Sequence, residues 1–467
     1  MGGLFGITSQ NDCVNSLFYG TDYHSHLGTK RGGLAVVGPR GFTRSIHSIE
    51  NDYFRTKFES DLPNFQGNLG IGIISDNDSQ PLIINSHLGT FGIVTVGIIN
   101  NLQELGRQAF SQKKYFSETA GKDINPTEMV AMLICEESSF EAGIEHVFDS
   151  IQGSCSLLLL TQHGIYAARD KLGRTPIVVG KNDSGFALSS ESSALPNLDF
   201  EVDYYLGPGE ILFVTPDGYE QFREPGDTMQ ICAFLWVYYG YPPSNYENIN
   251  VEEVRYRCGK ALAINDTVEA DMVSGIPDSG IGHAVGYAQT KNIPFTRPYV
   301  KYTPTWPRSF MPQSQAMRDL VARMKLIPNR AIIHDKRIIF CDDSIVRGTQ
   351  LQDNVKVLFE YGAQEVHMRL ACPTLIYPCP FLNFSTSRST LDLAGRKAIK
   401  ELEESDDRFL EEYAHAGSDR NLAMIEAIRS RLGLTTLAFQ KLDDLVDAIG
   451  LPKEKLCTHC WDGSSHF

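Results

Sequence analysis

The sequence predicts two successive units of mixed class: an α+β layered unit over residues 1–230, then an α/β unit with a parallel sheet over 231–467. Three observations carry this. At 467 residues the chain exceeds what one hydrophobic core usually supports, so two domains are expected. Its first half is a succession of short β-branched runs broken by Gly, Asn, Asp and Pro. From about residue 250 the rhythm changes to strand–loop–helix–strand.

In the first unit, Gly70–Ser75, Thr90–Ile99, Ser156–Thr161 and Gly209–Thr215 read as strands, and Pro126–Glu136 as a helix with Pro at its first position. Together they imply sheets covered by helices. In the second unit, Lys336–Asp343 is an apolar strand ending in two acids, followed by the polar, Gly-containing loop Ser344–Thr349. Leu351, Val355, Leu358 and Phe359 then mark one face of a helix that stops at Gly362, and Glu365–Cys372 returns as a strand. This is a parallel βαβ unit, whose ligand site is expected at the carboxyl end of the first strand. Residues 388–433 read as charged and helical.

Composition narrows the function classes. A net charge of −15 with no basic block repels nucleic-acid phosphate, so no nucleic-acid partner is expected. No apolar run approaches the 18 residues that span a bilayer, and MGGLFGITSQ lacks a signal-peptide core. Its Met-Gly opening has Gly6 where myristoylation needs Ser or Thr. No membrane association and a cytoplasmic location are expected. Ten cysteines in so long a chain then read as buried small hydrophobes or metal ligands, not a disulfide scaffold.

The strongest chemical signal is Ile338–Thr349. Adjacent carboxylates at a strand tip, Asp342 and Asp343, can accept hydrogen bonds from a sugar diol or hold a hard divalent cation. The Ser, Gly and Thr that follow expose N–H groups and hydroxyls at a helix N-terminus, a ready anion cradle. A single such turn would more often be an N-cap. Twelve residues in strand–loop–helix context favour a phosphorylated sugar.

This segment resembles the phosphoribosyl diphosphate (PRPP) fingerprint of type I phosphoribosyltransferases, and the chain as a whole resembles the glutamine PRPP amidotransferase family. Val268–Gly280 is similar to that family's pyrophosphate loop and Gln315–Leu326 to the basic helix beyond its lid. The resemblance implies an Ntn-hydrolase-like αββα sandwich followed by a type I phosphoribosyltransferase domain. It implies ribose contacts from Asp342 and Asp343 and a Mg²⁺ site of Ser279, Asp342 and Asp343. Asp278, Ser279 and Gly280 would face the pyrophosphate, and Ser344, Ile345, Val346, Arg347, Gly348 and Thr349 the 5′-phosphate. Arg308 of the lid and Lys325 beyond it would supply cations. The lid itself, Lys301–Phe310, departs from the family's Lys-Asn-Arg-Tyr-Val-Gly-Arg-Thr-Phe: Arg308 and Phe310 match, and two prolines enter.

Cys457-Thr-His-Cys460 is a CxxC whose spacing is compatible with iron–sulfur, zinc or redox chemistry. The resemblance adds Cys232 and Cys379, positions that with Cys457 and Cys460 hold a [4Fe–4S] cluster in one branch of the family; zinc is the alternative. Cys341 reads as core packing.

The front unit departs further. The family's glutaminase begins at a Cys in Cys-Gly-Ile-Phe-Gly-Ile; the matching residues here are Gly2–Ile7. In place of His-Val-Arg-Tyr-Ser-Thr, whose Arg grips the glutamine carboxylate, stands Ile73–Asp78. In place of His-Asn-Gly-Asn-Leu, which forms the oxyanion hole, stands Ile98–Leu102. Arg169–Gly180 keeps the scaffold pattern. The resemblance therefore implies a purine-pathway enzyme that transfers phosphoribosyl from PRPP to ammonia, with glutamine hydrolysis by its own front domain absent. Ammonia would come from solution or from a separate glutaminase, and a homo-oligomer is expected. A non-catalytic PRPP- or nucleotide-binding regulator is the alternative.

Overall fold

The computed structural model describes residues 2–76, 78–117, 119–120, 123–302, 326–382 and 389–464. Residues 2–223 build two antiparallel sheets. The first has seven strands in the order 201–205, 178–182, 185–189, 2–9, 69–75, 31–38, 41–48. The second has six, in the order 218–223, 211–215, 165–168, 156–160, 89–96, 82–86.

The period-2 alternation of strands dictates how these sheets stack. Leu4, Ile71 and Ile73 of the first sheet pack against Val94, Leu158, Leu160 and Leu212 of the second. Their sequence neighbours point the other way. Phe5 and Ile74 meet Leu17 and Phe18 of the helix Val14–Asp22, while Leu157 and Leu159 meet Val130 and Val147 of the helices Pro126–Ile134 and Phe140–Ser150. The result is four layers, αββα. Asn125 caps the helix at Pro126 by accepting from the Thr127 N–H at 2.9 Å.

The second half holds a four-stranded parallel sheet in the order 272–275, 337–342, 365–370, 436–439. Ile338, Phe340, Val366 and Met368 face the helices Thr349–Glu360 and Asp419–Leu432. Ile339, Cys341 and Val273 face Ala284 and Tyr287 of the helix Ile281–Lys291 on the other side. One expected detail changes. Val355 and Leu358 are buried, but Phe359, read as part of the same face, is exposed, because at 100° per residue it lies beyond the buried stripe. No helix among the described residues is long and apolar enough to cross a membrane.

Candidate functional site

The parallel sheet delivers two loops to one point. Gly275 ends the strand at 272–275, and Gly280 opens the helix Ile281–Lys291. A Cβ on Gly280 would lie 2.1 Å from the Cys341 carbonyl oxygen, so only glycine lets this turn close onto the neighbouring strand. The Ile276 N–H donates to that same carbonyl at 3.0 Å. This approach sets the Ser279 hydroxyl 2.8 Å from Asp342 Oδ1, to which it donates.

Asp342 Oδ1 also accepts the Asp343 N–H at 2.9 Å, and the Ser344 hydroxyl donates to Asp343 Oδ2. Asp343 is buried and Asp342 half-buried. Burial, with Asp343 beside it, pushes the Asp342 carboxyl well above the usual range; burial raises Asp343 as well. A cation would relieve both. Ser279, Asp342 and Asp343 fit Mg²⁺ in the chemistry of the donor set: hard oxygens, too few for a protein cage, with the shell left for substrate phosphate and water.

Beyond the acids, Gly348 takes a left-handed conformation, φ 78°, and the helix Thr349–Glu360 begins with no side-chain cap. Its first-turn N–H groups face the loop. Ile345 is buried, the Val346 carbonyl accepts from Ala394 N–H at 2.7 Å, and Arg347 pairs with Asp392 at 3.4 Å. Asp278 is exposed and pairs with Lys301. Arg308 and Lys325 lie outside the described residues, as does the rest of the lid from 303.

Sequence reading missed Arg255. Its buried guanidinium donates to the carbonyls of Trp236, Tyr238 and Gly240 at 2.8–3.1 Å, and its charge acts to lower the Asp343 carboxyl. Nothing local marks it, because its partners are backbone groups.

The four cysteines singled out above come together. Cys232 and Cys457 are register partners in a short parallel ladder, Ile231–Cys232 with Leu456–Cys457. The Cys460 carbonyl accepts the N–H groups of Ile376 and Tyr377, which brings in the turn carrying Cys379, and the Cys379 and Cys460 thiols are hydrogen-bonded. Burial pushes the Cys457 thiol to about 11, opposed by the His459 N–H and the Arg174 guanidinium. Four neighbouring thiols suit a thiophilic centre. Yet among the described residues no three His, Cys, Asp or Glu side chains are arranged to hold a metal ion: the thiols are neighbours, not a closed ligand shell.

In the front unit Gly2 is buried in the strand Gly2–Ser9, opposite Ser75. A Cβ there would lie 2.7 Å from the Ile74 carbonyl oxygen. The Asn100 N–H is committed to the Gln152 carbonyl at 2.7 Å. Beside Gly2 lies a small cavity of about 20 Å³, lined by Ser75, Asp78, Gln80, Thr95 and Ser154 among others. That is room for a water-sized molecule, not for an amino acid.

A family profile for a glutamine amidotransferase domain matches residues 67–197. The amidophosphoribosyltransferase of Methanocaldococcus jannaschii is 28% identical over 99% of this chain and 97% of its own length. That of Bacillus subtilis is 28% identical over 96% of this chain and 89% of its own. The solved structure of the B. subtilis glutamine PRPP amidotransferase complexed with ADP and GMP superposes with a TM-score of 0.84, covering 99% of this chain and 96% of that one at 27% identity.

Proposed function

We propose that this chain, similar in sequence and fold to amidophosphoribosyltransferases, transfers the phosphoribosyl group of PRPP to ammonia in purine biosynthesis, releasing pyrophosphate, and does not hydrolyse glutamine itself. We divide it into a glutaminase-like unit over residues 1–230 and a transferase unit over 231–467.

The observation that carries the transferase reading is the Ser279–Asp342 bond, which closes the pyrophosphate-loop candidate onto the ribose-acid candidate at the carboxyl end of a parallel sheet. Asp342 and Asp343 accept the ribose hydroxyls. The uncapped N–H groups after Gly348 bind the 5′-phosphate. Asp278, Ser279 and Gly280 line the leaving pyrophosphate, with Arg308 and Lys325 as its cations. Mg²⁺ held by Ser279, Asp342 and Asp343 would neutralise the leaving diphosphate.

The loss of glutaminase chemistry rests on four features together. Gly2 carries no thiol; Ser75 and Asp78 stand where an Arg clamp is needed; the Asn100 N–H is already spent; and the cavity is too small for glutamine. Losing one oxyanion donor alone costs roughly 10²–10³ in rate. The domain profile at 67–197 spans Ser75, Asp78 and Asn100.

We further propose that Cys232, Cys379, Cys457 and Cys460 hold a structural [4Fe–4S] cluster, zinc being the alternative. The protein is assigned to the cytoplasm as a homo-oligomer, drawing ammonia from solution or a partner glutaminase. The deciding experiment is an anaerobic assay of PRPP consumption with ammonium, with glutamine and with neither. Turnover with ammonium alone is expected. Intact PRPP binding without turnover on any nitrogen source would make the chain a regulator instead.

A further inference from the structure

Among the described residues, the cavity beside Gly2 has one fully buried polar atom with nothing to bond, the Ser154 hydroxyl, and one largely buried acid, Asp78. Ser154 is 0% exposed. Asp78, 6% exposed, accepts no hydrogen bond from any described group. Burying a carboxylate without a partner is costly, so the arrangement calls for something that donates. The remaining wall is already committed: the Gln80 amide exchanges hydrogen bonds with the Thr95 backbone at 2.7 and 3.2 Å, and the Thr95 hydroxyl meets that of Thr127 at 2.7 Å.

The charge is the reverse of what a glutamine site needs. Where the resembling family places an Arg to grip a carboxylate, Ser75 stands, and Asp78 adds an acid three residues on. Arg31, the register partner of Ser75, acts on Asp78 through its charge, and the acceptors that line the cavity still favour a cation over an amino-acid carboxylate. Its volume of about 20 Å³ admits one particle of water's size. Two open acceptors are few for a bare alkali ion but suit a small ion with directional N–H donors.

We propose that this cavity binds one ammonium ion, which donates N–H hydrogens to the Asp78 carboxylate and the Ser154 hydroxyl oxygen. The proposal rests on the ammonia-dependent reading above and deepens it: the collapsed glutamine pocket becomes a place where ammonium, the conjugate acid of the NH₃ that reacts, is held. Burial pushes the Asp78 carboxyl up to about 6 against the Arg31 charge, so it remains ionised at neutral pH and gains from a buried counter-ion.

The test uses the full-length protein without PRPP at constant ionic strength and pH 7.5. Ammonium chloride is expected to raise the Tm saturably, while potassium chloride and tetramethylammonium chloride do not. Asp78→Asn should abolish the ammonium-specific rise. Ser154→Val, which fills the cavity without changing charge, should abolish it independently, covering the case in which one variant fails to fold. An equal rise with potassium, or an undiminished rise in both variants, overturns the proposal. In turnover assays Asp78→Asn should raise the KM for ammonium about tenfold, the worth of one charge-assisted hydrogen bond, and leave the KM for PRPP unchanged. An unchanged ammonium KM removes the site and leaves the transferase reading standing. An ammonium-specific Tm rise in a protein that turns over nothing keeps the site and removes the transferase reading.

Discussion

Ser279 donates its hydroxyl to Asp342 across 63 residues of chain at 2.8 Å, and that bond ties the turn before the helix Ile281–Lys291 to the tip of the strand Arg337–Asp342. Because Asp342 Oδ1 accepts both this hydroxyl and the Asp343 N–H, its carboxylate plane is set before any ligand arrives.

Replacing both acids by amides, Asp342→Asn with Asp343→Asn, should abolish Mg²⁺-dependent PRPP binding in calorimetry. The same variant should be more stable than the parent in Mg²⁺-free buffer at pH 8. Both carboxyls titrate above their unfolded values, so the folded state binds protons more tightly and stability is lost as pH rises past the unfolded carboxyl pKa. Amides carry no such charge. Unchanged PRPP affinity would remove the ribose-site assignment.

Glutamine should yield neither glutamate nor phosphoribosylamine, whereas ammonium should support turnover that increases with pH, since NH₃ carries the reactive lone pair. Gly2→Cys should not restore glutaminase activity, because a Cβ there lies 2.7 Å from the Ile74 carbonyl and the clamp and oxyanion donors are still missing. Glutamate release by the unmodified protein, followed by coupled assay, would falsify the reading of the front unit.

Protein purified anaerobically should contain iron and sulfide, and Cys460→Ser should lose both and lower the Tm. Trp461, stacked on Phe234 at 4.8 Å, is anchored by the same turn, so metal-binding energy becomes folding energy for the C-terminal tail. One zinc and no iron by elemental analysis would replace the cluster with a zinc site.

Acid should destabilise the fold through two buried histidines. Burial depresses His24 to about 4 and His283 to about 3; His24 bonds the Gly20 carbonyl at 2.8 Å and contacts the Ser189 hydroxyl at 3.1 Å. Folded pKa values below the unfolded 6.5 mean full stability above pH 6.5, lost as pH falls toward 4. His24 alone accounts for roughly 3 kcal/mol over that range. Urea midpoints at pH 7 and 4.5 should show the loss, and His24→Gln should flatten it. An identical pH slope in that variant would exclude His24 as the titrating group.

Much of this was legible in the linear pattern. The apolar strand Arg337–Asp342, its terminal acids and the Gly348 turn are contiguous, so their local structure could be read where it stands. The αββα layering follows from strands such as Ser156–Leu160, apolar at every Leu because both faces are covered. Phe359 falls outside the buried face because a helical stripe has edges that only the neighbouring helix defines.

By itself the sequence determined the mixed α/β class, the acid pair at a strand tip, the Gly-containing loop before a helix and the absence of a thiol at Gly2, because each is a property of adjacent residues. The tertiary structure alone decided that Ser279 meets Asp342, that Arg255 acts on Asp343 while binding three carbonyls, and that Cys232 lies in register with Cys457. It also decided that Asp78 and Ser154 share a cavity. These relationships join residues far apart in the chain, and their energies depend on burial and distance. Both exist only once the sheets have packed.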